Sequence, residues 1–400
     1  MKALDIVQND IALAYPKIHK VRLNTLFTFV DAAMKDQRVT VTYLGRGLKN
    51  ASKTDKKHDI KRADRLIGNP HLHHERFCFY EHMCEALVGE DKHPLVIVDW
   101  SPINGNEIFQ LLRASIPMGG RALTLYEKVY PESELNTEAA HQHLLDVLEQ
   151  CLPTDCQPIV LSDAIFKTPW FKAIEKKNWY WVGRVRGNVT LSTDNEQWHH
   201  CKHWYEQASP KASSLGEISY SKSTQFTCEA VLYRGSTKGR QKNKMRGGKS
   251  NCTTDKYYEK KAKEPWLLIS KLPINLQQPT MVVKLYRQRM QIEENFRDTK
   301  NARVGISVEY AKSKSAERFD NLLLIAALII FSLWCMGYIT ALRANHLSLQ
   351  ANSIKHRAVL SYIYLGREVV DDDRYRPSAE EFIYIYSQLH LLVITIDDLV

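Results

Sequence analysis

Tyr286, Arg289, Glu293 and Lys300 stand at offsets 0, 3, 7 and 14 within the stretch LYRQRMQIEENFRDTK, residues 285–300. Pro279-Thr280 ahead of it predicts a helix start with Thr280 as N-cap, and no Gly or Pro follows until Gly305. At about 100° per residue the four side chains fall within a sector of roughly 60° on one continuous helix. Leu285, Ile292 and Phe296 lie beside that sector as a stripe for burial. The helix would then present a phenol, a guanidinium, a carboxylate and an ammonium on one face. Arg and Lys there suit phosphate, as a fork and as a point charge. Glu294 and Asp298 point away, so Glu293 is the carboxylate of the group. A surface helix with Glu–Arg pairs four apart has the same spacing, so chemistry requires further acids elsewhere.

Two such acids close apolar runs. Asp99 ends residues 94–99 in PLVIVDW and Asp163 ends residues 158–163, PIVLSD. Runs of this kind predict buried strands. Each acid alone reads equally well as a strand-end cap. Together, two strand-end carboxylates and Glu293 form an all-oxygen donor set for two Mg²⁺ or Mn²⁺ ions. Paired ions about 3.5–4 Å apart would activate the attacking oxygen and stabilise the leaving oxygen of a phosphodiester.

The elements that must position these residues follow in order. Residues 109–117 and 121–130 predict strands joined by a turn at Met118-Gly119-Gly120. An amphipathic helix over 138–152 precedes the Asp163 strand, and a helix over 170–177 precedes a strand over 179–185. Three strands, helix, strand, helix, strand is the order that opens an RNase-H-like α/β fold. Residues 188–264 interrupt it with strand-like pieces at 217–220 and 226–233. Between these and the next strand, 265–270, lies RGSTKGRQKNKMRGGK (234–249), with seven basic residues, four Gly and no acid. That composition predicts a mobile arm suited to a phosphate backbone. His199, His200, Cys201 and His203 are adjacent rather than in paired short loops, so no zinc is expected there.

The amino-terminal 88 residues read as helical and basic. Between Arg46 and Arg65 there are eight Lys/Arg against three Asp, and Lys57, Lys61 and Arg65 share a helical face. Clustered cations of this kind contact DNA or form a solvated face. The whole chain of 400 residues carries a net charge of +10, which suits a polyanionic partner. Eight cysteines without a C-x-x-C pair are expected to be reduced thiols of a cytoplasmic protein. The first ten residues contain acids and no long apolar run, so no signal peptide is expected. Residues 322–339 are nearly continuously apolar, at the lower limit for spanning a bilayer. A helix buried between layers of an α/β domain has the same composition, and that is the expectation, with no membrane partner.

The Y-x₂-R-x₃-E-x₆-K spacing of Tyr286, Arg289, Glu293 and Lys300 resembles the signature of bacterial insertion-sequence DDE transposases. Asp99 in LVIVDW and Asp163 in LSDAIFKTPWF are similar to that family's first and second acids. Ile165 stands where relatives more usually have Gly. The resemblance spans roughly residues 20–340. It implies an RNase-H-like catalytic core (89–345) with a β-rich basic insertion (188–264). It also implies a helical DNA-binding domain (1–88) and a helical carboxy-terminal region (346–400) that supports a homodimer at synapsis. The implied reaction is cut-and-paste: hydrolysis at each element end, hairpin formation, reopening, and joining of 3′ ends to target DNA. Sharply bent hairpin DNA calls for a flipped base, for which Tyr286, Met290 and Trp266 are candidates. A catalytically inactive DNA-binding regulator of the same descent is the alternative, and a nuclease without strand transfer a third reading. The implied location is the bacterial cytoplasm, at the nucleoid.

Overall fold

The computed structural model describes residues 3–48, 54–105, 108–235, 252–253, 263–351, 353–354 and 357–400. The basic stretch 234–249 lies outside the described residues except for Arg234 and Gly235. The chain divides into two units, Met1–Cys156 with Met290–Ile394, and Gln157–Arg289 with Thr395–Val400.

The first unit begins with five helices: α1 (Ala3–Ala14), α2 (Lys20–Asp36), α3 (Val41–Gly47), α4 (Lys56–Ile67) and α5 (Pro70–Val88). Local chemistry sets several starts. Thr40 accepts the Tyr43 N–H to open α3, and Asn69 accepts the His71 N–H ahead of Pro70 to open α5. On α4, Ala63, Leu66 and Ile67 are buried, and Lys57, Lys61 and Arg65 lie on the exposed side as the spacing predicts. Strands β1 (Leu95–Pro102), β2 (Phe109–Pro117) and β3 (Ala122–Pro131) follow in the order β3-β2-β1, antiparallel throughout. The β2–β3 turn closes with Met118 N–H donating to Arg121 O at 2.7 Å, and Gly119 and Gly120 both take positive φ. Two successive positive φ values are what a tight hairpin demands and what Gly supplies without strain. Helix α6 (Glu138–Cys151), capped by Thr137, packs on β3.

The later part of this unit contains the helices Gln291–Lys300 and Ala316–Leu342, then the shorter His346–Leu349, Tyr362–Val369 and Ala379–Ser387. The 27-residue helix is long and apolar enough to cross a membrane, yet 94% of its most apolar window is buried within the protein. It packs on α2, on β3 and, most closely, on Tyr362–Val369. At that crossing a Cβ on Gly337 would stand 1.6 Å from Tyr362 O, and one on Gly366 2.1 Å from Leu333 O. The two backbones meet only because both positions lack a side chain.

The second unit holds β4 (Ile159–Ser162), α7 (Thr168–Lys176), β5 (Tyr180–Val185), β6 (Thr190–Ser192), β7 (His199–His200), β8 (Ser213–Tyr220), β9 (Phe226–Tyr233) and β10 (Trp266–Lys271). Their order is β4-β5-β10-β9-β8-β6-β7, with β4 parallel to β5 and the other pairs antiparallel. Strand β10 pairs with β5 on one side and β9 on the other, so the strands predicted as an insertion continue this unit's sheet.

One expectation is overturned. The stretch 279–300 is two helices, Pro279–Gln288 and Gln291–Lys300, with Gln278 rather than Thr280 at the cap and Pro279 in the first turn. Arg289 and Met290 keep helical dihedrals, but Arg289 N–H donates to Tyr286 O and Glu293 N–H to Met290 O. These tightened three-residue bonds interrupt the helix without Gly or Pro. The next residue, Gln291, is held by its side chain: Oε1 accepts the Met118 and Gly120 N–H groups at 3.1 and 3.0 Å. The expectation of one continuous helix from Thr280 to Lys300 is therefore not met.

Candidate active site

In the first unit the register of the three strands builds the site floor. Asp99 on β1 lies opposite Arg113 on β2, and Arg113 lies opposite Glu127 on β3. Directly opposed residues of antiparallel strands share a face, so acid, base and acid form a row across the sheet. The helix Gln291–Lys300 packs on β1, β2 and β3. Arg113, 1% exposed, is paired with the fully buried Glu127 and donates through Nη1 to Asn295 Oδ1 and Thr299 Oγ1. Glu127 also accepts from Tyr80 of α5 at 3.1 Å, and its carbonyl accepts from Arg76 at 2.7 Å. Buried charge of this kind is tolerated where every partner is in place.

The helix is thus held along one side by Gln291, Asn295 and Thr299, at i, i+4 and i+8. A second side is held by Arg121, which lies 3.1 Å from the Glu294 carboxylate and 2.9 Å from that of Asp298. Burial raises the Asp298 pKa to about 6, with Arg121 and Arg297 opposing the shift. Glu293 remains on the exposed side. At the far end of the same helix, Lys300 Nζ donates to Ser101 Oγ and, at 3.0 Å, to Pro102 O. Lys300 therefore reaches the end of the strand that carries Asp99. Burial and the nearby Arg113 lower its pKa to about 8, against the attraction of Glu309 and Asp99. The Phe296 ring has the Arg113 guanidinium 4.9 Å and the Lys300 ammonium 5.2 Å from its centroid. Asp99 is half-buried, and its Oδ1 accepts the Trp100 N–H at 2.9 Å.

The second unit carries the other predicted residues. Asp163 follows β4 and is half-buried; its Oδ1 accepts the Ile165 N–H at 2.8 Å. Ile165 sits in this turn without a positive φ, so a side chain is accommodated where Gly is usual. The Lys167 pKa is lowered by burial and partly restored by Asp163. Tyr286 is 3% exposed and meets Trp266 edge-on at 5.1 Å, with the Arg289 guanidinium 5.9 Å from the Tyr286 ring centre. Trp266 is half-buried and also contacts Tyr233. Met290, half-buried, begins the first unit's return. His199 and His203 stack with ring centres 4.1 Å apart.

The residues that seat the Glu293 helix, namely Arg113, Glu127, Gln291, Asn295 and Thr299, escape a reading of the sequence aimed at acids. Their signal is weak but real: Arg113 is a charge inside an apolar strand, and Asn295 and Thr299 are polar at helical spacing beside the burying stripe. Asp99, Glu293 and Asp163 offer only carboxylate oxygen, the donor chemistry of Mg²⁺ or Mn²⁺ rather than zinc. Among the described residues no group of three or more His, Cys, Asp or Glu is close enough to hold a metal ion.

No curated protein matches the chain. The family model described as a transposase DDE domain matches residues 90–330. That span includes the row of Asp99, Arg113 and Glu127, the Asp163 turn and the Glu293 helix, and the chain belongs to the DDE transposase family.

Proposed function

We propose that the protein is a cut-and-paste transposase. It would bind the terminal inverted repeats of its element, excise it by strand hydrolysis and hairpin formation, and join the 3′ ends to target DNA. The observation that carries this reading is the seat of the Glu293 helix. Arg113 and Gln291 fix it over the strand bearing Asp99, with Glu293 exposed and Lys300 directed to that strand's end. An RNase-H-like core accounts for acids so far apart in sequence standing within β1, just after β4 and in the first turn of the helix Gln291–Lys300.

Asp99, Asp163 and Glu293 would hold two Mg²⁺ or Mn²⁺ ions. Bound there, such ions supply Lewis acidity for the attacking and leaving oxygens of the phosphodiester. Lys300, fixed by Ser101 and Pro102, and Arg289 would hold phosphates flanking the scissile bond. Trp266, more accessible than Tyr286, is the better stacking partner for a displaced base, and Met290 is the candidate wedge. Residues 1–88 would grip the element ends, the 188–264 region would follow the backbone, and 346–400 would support a homodimer. Within the family, stretches such as IKRADRLIGNPHLH and RMQIEENFRD are similar to the transposase of the tetracycline-resistance composite transposon. Retention of all three acids favours an active enzyme over an inactive regulator.

The test is DNA carrying the sequences that flank this reading frame, incubated with protein and Mg²⁺. Nicks followed by hairpin ends are expected; binding without any cleavage would leave the regulator.

Two further results are expected. Lys300 carries its proton below about pH 8 and loses it above. End-DNA affinity measured in EDTA should therefore fall roughly tenfold as pH rises through that value, because one charge-assisted hydrogen bond to phosphate disappears. Lys300→Arg, charged throughout, should remove the pH dependence; the same fall in this variant would assign it to another group. Neutralising Lys57, Lys61 and Arg65 should lower the log–log salt slope of duplex binding by about 0.9 for each phosphate no longer neutralised. An unchanged slope would make that face merely solvated.

A further inference from the structure

A cleft of about 650 Å³ lies within the first unit, between the start of α3 and residues 310–318. Its lining includes Thr40, Thr42, Tyr43, Tyr310, Lys312 and Lys314. Both walls are fixed. At one end Val39 N–H donates to Ile306 O at 2.9 Å, and Arg367 joins Gln37 to Val304 O. At the other end Arg318 is bound to Asp64, the single acid in the lining. With Asp64 so engaged, the cleft is cationic. Lys312 and Lys314 are exposed and have no ion-pair partner among the described residues. Arg38 adds a guanidinium 4.5 Å from the Tyr43 ring centre. Thr40 Oγ accepts the Tyr43 N–H, so its own hydroxyl proton is still available to donate.

The aromatic lining is the second observation. Tyr310 is 63% exposed and lines the cleft, so its ring is accessible beside the lysines. Cations that track a backbone beside accessible rings are the features of single-strand binding, because an unpaired base has a free face to stack. Duplex bases are already stacked on each other and would use the lysines but not the ring.

We propose that this cleft binds an unpaired segment of a DNA strand, with phosphates on Lys312, Lys314 and Arg38 and a base on Tyr310. The site deepens the transposase reading, since strand cleavage and hairpin opening both expose unpaired DNA, yet its occupancy is measurable without cleavage. It is separate from the Asp99–Glu293 region in the residues it uses.

The experiment is fluorescence anisotropy of the full chain with oligothymidylate and with a blunt duplex, over a salt series in EDTA. Tyr310→Ala should weaken oligothymidylate binding about tenfold and leave duplex binding unchanged. Tyr310→Phe, which keeps the ring, should bind as the parent does. The double change Lys312→Ala with Lys314→Ala should lower the single-strand salt slope by about 1.4, at roughly 0.7 per phosphate. Oligothymidylate binding untouched by these changes overturns the proposal. Equal loss of duplex and single-strand binding in Tyr310→Ala overturns it too, since the ring would then serve a duplex surface. Failure of wild-type protein to cleave its end DNA, with oligothymidylate binding intact, overturns the enzymatic reading and leaves the cleft standing.

Discussion

Glu293→Gln is expected to reduce strand cleavage by roughly a thousandfold or more while DNA binding stays within a few-fold of the parent. The size follows from the several kcal/mol of charge stabilisation that metal ligation contributes in phosphoryl transfer. Stability should not change, because Glu293 is on the exposed side of a helix whose attachment runs through Gln291, Asn295 and Thr299. Glu294→Gln is the matched control. Its carboxylate contacts Arg121 and Arg297, so its loss should cost about 1 kcal/mol of stability or less and little activity. Asp99→Asn and Asp163→Asn should behave as Glu293→Gln does. Mg²⁺-dependent cleavage surviving in Glu293→Gln but abolished in Glu294→Gln would reverse the assignment of the two acids.

Arg113→Met should destabilise the protein by about 3–5 kcal/mol, the range for removing one partner of a buried ion pair. Glu127 would be left fully buried with Tyr80 as its remaining side-chain partner, Thr299 Oγ1 would lose the Arg113 donor, and Asn295 Oδ1 would keep only Thr124. Chemical denaturation measures the loss; a change below about 1 kcal/mol would show that the network contributes little. The combined change Arg113→Met with Glu127→Leu removes both charges, and apolar replacement of a whole buried pair is often neutral. Stability should then recover in large part. Cleavage should not recover fully, because Asn295 and Thr299 still lack their Arg113 anchor and the Glu293 helix keeps its attachments through Gln291 and Arg121 but not this one. Recovery of both would reduce Arg113 to a structural charge with no part in positioning.

The strands at Asp99 and before Asp163 were legible because short apolar runs bounded by a polar residue have few other uses in a folded chain. Asp99 is not a strand end, however: β1 continues to Pro102 because its pairing with β2 runs on past the apolar run. The hairpin at Gly119-Gly120 was legible for a similar reason: consecutive positive φ values admit few residue types. The long apolar segment was correctly expected to be a buried helix, although its crossing with Tyr362–Val369 at two glycines could not be foreseen. The resemblance carried by the Y-x₂-R-x₃-E-x₆-K spacing pointed to the DDE transposase family, to which the chain belongs.

What spacing misjudged was the helix itself. No local breaker separates Tyr286 from Lys300, and helical periodicity treats such a stretch as continuous. The interruption at Arg289 and Met290 coincides with a change of unit and with Gln291 engaging a turn 171–173 residues earlier in the chain. Likewise, Lys300 meets Ser101 across 199 residues and Arg113 meets Asn295 across 182. The sequence by itself determined which side chains were candidates for the chemistry and which short elements would carry them, since propensity and burial act over a few residues. Strand register and helix seating, which place Asp99 in a row with Arg113 and Glu127 and leave Glu293 rather than Glu294 exposed, were decided only by the tertiary structure. Those choices are made by hydrogen bonds between distant segments, and no local pattern encodes them.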